Sequence, residues 1–276
     1  MDTVSRFAPS PTGYLHLGHA FSAWIGRNQS DVWRLRFEDI DKGRCKKEYA
    51  MAAEEDLAWL GLLWDGEIRI QSEHLGEYSK ALEKLKSEGL LYECFCTRRE
   101  ITLAQSAPHG HAARYPGTCR HLSKPERDQK LRAGLPFALR LKIDLACKNV
   151  GNIKFFETDI GWITADPRPW GDVILARKDV PTSYHLCVVH DDAMQQISYV
   201  VRGEDLRDST HIHVLLQALL GYETPRYLHH KLLLGSDGKR LAKRSNAISL
   251  RDLRKRGVTP REIFQQFDAA RQILSK

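Results

Sequence analysis

The run Arg6-Phe7-Ala8-Pro9-Ser10-Pro11-Thr12-Gly13-Tyr14-Leu15-His16-Leu17-Gly18-His19 constrains the fold more than any other stretch of the chain. Val4 to Ala8 alternate as a short strand would. Pro9 and Pro11 then bar both helix and ladder, and Gly13 allows backbone angles closed to other residues. From Gly18 to Gln29 the apolar residues Ala20, Phe21, Trp24 and Ile25 share one helical face. The order is therefore strand, stiff loop, helix start. A helix start offers unpaired N–H groups and the positive end of a dipole, and His16 and His19, one turn apart, add donors for phosphates without a Walker-type lysine. Taken alone, two histidines there also suit plain capping and packing.

Two later strands end in charge. Val32 to Phe37 alternates apolar residues with Arg34 and Arg36 and runs into Glu38-Asp39-Ile40-Asp41, and Ile197 to Val201 runs into Arg202-Gly203-Glu204-Asp205. Carboxyl ends of parallel strands are where open α/β sheets bind ligands. Lys46 to Leu60 and Glu73 to Glu88 read as amphipathic scaffold helices, and Trp64 between them as a packing residue. No G-x-G-x-x-G follows the first strand, which disfavours a dinucleotide-dependent dehydrogenase.

Pro-Ser-Pro-Thr-Gly before His-Leu-Gly-His resembles the first signature of class I aminoacyl-tRNA synthetases, and Arg6-Phe7-Ala8-Pro9-Ser10 narrows the resemblance to the glutamyl and glutaminyl branch. Arg-Phe-Glu-Asp-Ile-Asp at 36–41, Val-Val-Arg-Gly-Glu-Asp-Leu at 200–206 and Tyr184 in Tyr-His-Leu match further segments. Arg240-Leu241-Ala242-Lys243-Arg244 resembles the second signature, usually written Lys-Met-Ser-Lys-Ser, with Ala242 departing from it. The resemblance implies ATP bound with Mg2+ by His16, Gly18, His19 and Lys243. It implies His16, His19 and Lys243 as catalytic residues that stabilise phosphate charge, with Lys243 neutralising the leaving pyrophosphate. It implies L-glutamate held by Arg6, Ala8, Ser10, Glu38, Tyr184 and Arg202, with Glu38 on the ammonium group and Arg6 on the side-chain carboxylate.

Cys94-Phe95-Cys96 is followed by eighteen residues, then Tyr115, then Cys119-Arg120-His121. Paired thiolates with a distant third suit a tetrahedral zinc ion, Zn2+, in a closed structural site. For the fourth ligand His121 is the ordinary chemical choice, whereas the short relatives that the chain resembles use a tyrosine at the position of Tyr115. His109 and His111 are weaker candidates.

The implied fold class is α/β: a class I synthetase Rossmann-type parallel sheet, an inserted zinc-bearing α+β domain and a short C-terminal helical segment. The expected divisions are 1–90 and 181–246 for the two catalytic halves, 91–180 for the insertion and 247–276 for the helical segment. Phe137 to Ile143, Ile153 to Glu157, Trp162 to Ala165 and Asp172 to Lys178 read as strands, the first three forming the insertion's antiparallel layer. Tyr227 to Leu234 reads as a strand, and helices are expected at Asp208 to Leu220, from Leu250, and through Phe267 to Leu274.

The chain has 276 residues, 42% hydrophobic and 28% charged, enough for a sizeable core. It has no apolar run near a membrane span or basic leader, so the expectation is a cytoplasmic protein, and a monomer. Its net charge of +7 is compatible with a phosphate-rich partner. Full glutamyl-tRNA synthetases continue into a helical region that grips the anticodon. No residues remain for one here, and the chain resembles the short members that esterify queuosine in the anticodon of tRNA(Asp). A truncated ordinary synthetase charging a 3′ end is one alternative; a catalytically silent tRNA-binding module is another, which the intact His16, His19, Glu38, Arg202 and Lys243 oppose.

Overall fold

The computed structural model describes residues 2–97, 100, 115–233 and 248–274, with side chains up to 270. The first half alternates β1 (Val4–Phe7), α1 (Leu17–Asn28), β2 (Val32–Phe37), α2 (Lys47–Trp59), β3 (Arg69–Ile70) and α3 (Leu75–Ser87). Its strands form a parallel sheet in the order β1-β2-β3, with Val4 opposite Val32 and Arg36 opposite Arg69. Then come β4 (Leu91–Cys94), α4 (Lys124–Arg132), β5 (Ala138–Leu141), α5 (Ile143–Val150), β6 (Lys154–Glu157), β7 (Gly161–Thr164) and β8 (Ile174–Ala176). The remaining elements are α6 (Tyr184–Met194), β9 (Tyr199–Gly203), α7 (Ser209–Leu220), β10 (Arg226–His230), α8 (Leu250–Lys255) and α9 (Pro260–Leu274).

A second sheet has the order β7-β6-β10-β9, with β10 parallel to both β9 and β6. The two sheets meet where the Ser198 N–H donates to the Val4 carbonyl at 3.0 Å, so β1 and β9 are neighbours. Strand order reverses there, and α/β sheets open a ligand crevice at such a point.

Four readings of local pattern are corrected. The β6–β7 hairpin is antiparallel as expected, but β6 pairs with β10 on the second sheet, while β4, β5 and β8 make a separate antiparallel sheet. The strand expected to reach Ile143 stops at Leu141, and a helix begins where Ile143 and Ala146 bury into the core. The strand expected to Leu234 ends at His230. Helix α4 was not anticipated, although Ser123 and Glu126 form a capping box around Pro125.

One core packs α1 between the first sheet and the C-terminal helices through Phe21, Trp24, Leu250, Ile263 and Phe267. Another joins α3, α5, α6 and α7 around Leu85, Leu186, Ile212 and Leu216. Among the described residues no helix is long and apolar enough to cross a membrane.

Candidate active site and cysteine cluster

The strand ends β1, β2 and β9, the start of α1 and the start of α6 surround one cavity of about 510 Å³. Arg6, Ala8, Ser10, His16, Gly18, His19, Glu38, Tyr184 and Arg202 all line it. Nine residues singled out from sequence thus line one cavity, although they come from segments nearly two hundred positions apart. Beside Arg202 the backbone of Gly203 is closely covered: a Cβ there would stand 2.6 Å from Asp205 Oδ1 and 2.7 Å from the end of the Leu232 side chain, so both would have to shift.

At the helix start, the Gly18 N–H donates to His16 Nδ1 at 3.1 Å, and the His16 N–H donates to His19 Nδ1 at 3.2 Å. The rings stack with centroids 3.8 Å apart. Since both Nδ1 atoms accept, the proton of each neutral imidazole sits on Nε2, which makes each Nε2 a donor suited to phosphate oxygens. The loop is braced from the C-terminal side: the Leu250 N–H donates to the Leu15 carbonyl at 2.8 Å, Arg251 donates to the Tyr14 hydroxyl at 3.2 Å, and Ser249 bridges His16. Leu232 and Leu233 line the cavity as well. Lys243 lies outside the described residues, as do Lys239, Arg240, Ala242, His109 and His111; described residues on both sides of 234–247 border the site.

At the end of β2, Glu38 contacts the Arg36 guanidinium at 3.4 Å. Burial pushes the Glu38 carboxyl up, against the pull of Arg36 and Arg6, so an ammonium group arriving there gains a partner that needs one. Burial also raises the Tyr184 phenol. Arg6 is paired with Asp192, Nε to Oδ1 at 2.9 Å. Arg202 is held by His229, His213 and Thr210.

Sequence reasoning missed the layer behind these residues. Arg36 is wholly buried and bonds Asp192 at 2.8 Å and Gln195 at 2.9 Å. Asp191 accepts from Arg69 at 2.7 Å, Gln71 at 2.8 Å and Tyr78 at 2.9 Å. The available signal was His190-Asp191-Asp192 inside an otherwise apolar helix, since buried carboxylates require partners.

Apart from the cavity, the Cys94, Cys96 and Cys119 sulfurs all lie within 4.8 Å of one another. Tyr115 is buried beside them, its hydroxyl 3.4 Å from Cys96 Sγ and accepting the Cys119 N–H at 2.8 Å. The Arg140 guanidinium stacks 3.8 Å above the Tyr115 ring. His121 is exposed. Zinc–sulfur bonds of about 2.3 Å in a tetrahedron separate the sulfurs by ~3.8 Å; the Cys96–Cys119 distance of 3.4 Å and the cluster's span are close to that. Burial pushes the Cys96 thiol up to about 11 and the Tyr115 phenol up as well. A cation is what would let such groups ionise together, so the donor set fits a metal.

Residues 2–269 match the catalytic domain of the class I tRNA synthetases (E and Q). A Rhodobacter capsulatus protein named glutamyl-Q tRNA(Asp) synthetase is 45% identical, over 94% of this chain and 98% of its own length. The glutamate–tRNA ligase of Aquifex aeolicus is 38% identical, over 94% of this chain and 55% of its own length. The crystal structure of glutamate-tRNA synthetase from Elizabethkingia anophelis superposes with a TM-score of 0.75 at 27% identity, covering 92% of this chain and 54% of that one. The chain thus spans about half the length of these ligases and nearly all of the Rhodobacter protein. With the two-histidine helix start, the strand-end carboxylate and the strand-end arginine around one cavity, the chain belongs to the class I tRNA synthetases of the E and Q branch and is a ligase of the aminoacyl-tRNA synthetase type.

Proposed function

We propose that the protein uses ATP to activate L-glutamate as glutamyl-adenylate and then transfers the glutamyl group to queuosine in the anticodon of tRNA(Asp). The observation that carries the first step is the charge layout of the cavity: a carboxylate at Glu38, guanidinium groups at Arg6 and Arg202, and paired imidazole donors at the α1 start all face one space. Those are the complements of an ammonium group, carboxylates and phosphates.

In this reading a substrate carboxylate oxygen attacks the α-phosphorus of ATP and the bond to pyrophosphate breaks. The Nε2–H groups of His16 and His19 meet the charge that develops on the phosphates, a preorganised stabilisation, and Lys243 adds its ammonium on the strength of the second signature. Mg2+ bound with ATP supplies further charge neutralisation. Glu38 orients the ammonium group, while Arg6 and Arg202 orient carboxylates, with Ala8, Ser10 and Tyr184 shaping the pocket. In the second step a queuosine hydroxyl attacks the acyl carbon and AMP leaves. Cys94, Cys96, Cys119 and Tyr115 would hold one structural zinc ion that ties the end of β4 to the Tyr115–Cys119 segment.

Transfer to queuosine rests on similarity to relatives named for it, in Rhodobacter capsulatus and, at 41% identity over 95% of this chain, in Nocardia farcinica. The test is labelled glutamate with ATP and three acceptors: tRNA(Asp) with queuosine, tRNA(Asp) made without it, and glutamate tRNA. Label only on the queuosine-bearing tRNA is expected. Equal labelling of either other tRNA would replace this reading with 3′-end charging.

A further inference from the structure

Arg202 is 5% exposed, and among the described residues no carboxylate lies within ion-pair distance of it. Its Nε donates to His229 Nε2 at 3.1 Å, its Nη1 to His213 Nδ1 at 3.2 Å and its Nη2 to Thr210 Oγ1 at 2.7 Å. A guanidinium only donates, so both ring nitrogens facing it must be bare. That fixes the tautomers. His229 keeps its proton on Nδ1 and gives it to Glu157 Oε2 at 2.6 Å, while Glu157 Oε1 accepts the His229 backbone N–H at 2.9 Å. His213 keeps its proton on Nε2, directed at His185 Nδ1, 3.2 Å away. Burial, reinforced by the neighbouring guanidinium, lowers His213 well below the ordinary imidazole range and takes His185 to about 4. Burial lowers His229 too, against the pull of Glu157, so the imidazoles that cradle Arg202 stay neutral at physiological pH.

The other cavity arginine differs. Arg6 meets a carboxylate directly, at Asp192. Arg202 is fully hydrogen-bonded on its inner side yet keeps its whole charge for the cavity, a combination that an aspartate or glutamate at the same positions would abolish.

We propose that Thr210, His213 and His229, with Glu157 behind, are positioning residues that present Arg202 as an uncompensated cation to a carboxylate of the substrate amino acid. The inference rests on the glutamate reading above. Each partner orients the guanidinium without neutralising it, so substrate supplies the missing negative charge.

The test compares wild type, His213→Asp and His213→Asn in glutamate-dependent ATP–pyrophosphate exchange, with thermal unfolding of each. His213→Asp gives Arg202 an internal carboxylate, and losing a charged hydrogen bond to substrate is expected to raise the glutamate KM by roughly 10–100-fold, with the ATP KM unmoved. His213→Asn offers Oδ1 where Nδ1 stood and should recover most of the affinity. A folded His213→Asp protein with an unchanged glutamate KM overturns the inference and leaves the proposed function standing. Wild type without glutamate-dependent exchange overturns the proposed function, and this substrate assignment with it. Should His213→Asp fail to fold, nitrogen NMR of the wild-type histidines decides: protonated Nε2 on His213 and protonated Nδ1 on His229 support the cradle, and the reverse tautomers refute it.

Discussion

Arg6 and Asp192 face each other through two contacts, Nε to Oδ1 at 2.9 Å and Nη2 to Oδ2 at 3.4 Å, from opposite halves of the chain. The same Oδ1 lies 2.8 Å from Arg36, and Arg36 reaches Glu38 at 3.4 Å. Two of the cavity-facing charges, Arg6 and Glu38, are thus linked at the back by a buried pair. Burial opposes ionisation of Asp192, but the two guanidinium groups override it and hold the carboxyl below its usual range.

Removing one partner of such a network leaves buried charge without compensation. Asp192→Ala is therefore expected to cost about 3–5 kcal/mol in urea denaturation and to abolish exchange. Asp192→Asn, which keeps shape and loses charge, should fall between. A stable, active Asp192→Ala protein would mean that Arg6 and Arg36 are held by other contacts.

His19 both accepts the His16 N–H and, in the proposed mechanism, donates from Nε2 to phosphate. Truncation should cost ~1 kcal/mol as a lost cap but slow activation by about 10²–10³ as a lost transition-state donor. Lys243→Ala should show a kinetic loss of similar size. Unfolding curves and exchange rates on the same preparations separate the two effects, and a rate loss no larger than the stability loss explains would reject the catalytic role.

The cavity was legible because most of its residues sit in short segments at strand ends, where Val4 to Ala8 and Val32 to Phe37 alternate and Ile197 to Val201 is a continuous apolar run, and because the motifs in those segments resemble the family's. Their support was not. Arg36 alternates with apolar residues and reads as the wet face of a strand, whereas β2 lies between β1 and β3 with both faces covered, so Arg36 is fully buried against α6. Glu157 reads as part of an insertion, yet β6 joins β10 and brings it to His229. Long-range pairing of strands and helices created both contacts, and no local periodicity carries that information.

Asp56 offers a pH test remote from the cavity. It is 2% exposed on α2, and its Oδ2 has no hydrogen-bond partner among the described residues. Burial pushes the carboxyl up to about 6, against the pull of Arg254. A carboxyl raised in the folded state contributes stability fully present below its unfolded value, near ~3.9, and lost as pH rises through about 6. Asp56→Asn removes that loss. The variant should match wild type near pH 4 and exceed it at pH 8 by roughly 1–2 kcal/mol in urea denaturation. Equal stability at both pH values would place the Asp56 carboxylate in a compensated environment.

The last prediction concerns the cysteine cluster. Tyr115 is packed under Arg140 with its hydroxyl among the three thiols, while His121, the ordinary ligand type, points into solvent. Freshly purified protein is expected to carry one zinc per chain. Tyr115→Phe should weaken zinc retention against a chelator, and His121→Ala should not; the opposite ranking would move the fourth ligand to the histidine. Cys94, Cys96, Cys119 and Tyr115 do not line the active-site cavity, so an ion bound there would have no substrate to polarise, and its binding energy would go into tying the end of β4 to Tyr115 and Cys119. Cys96→Ser should therefore lower the melting temperature and the rate of transfer to tRNA, while glutamate-dependent exchange without tRNA survives better. If exchange falls as far as transfer does, the cluster supports the whole catalytic body rather than the transfer step alone, and a zinc content well below one equivalent would remove the metal from the account altogether.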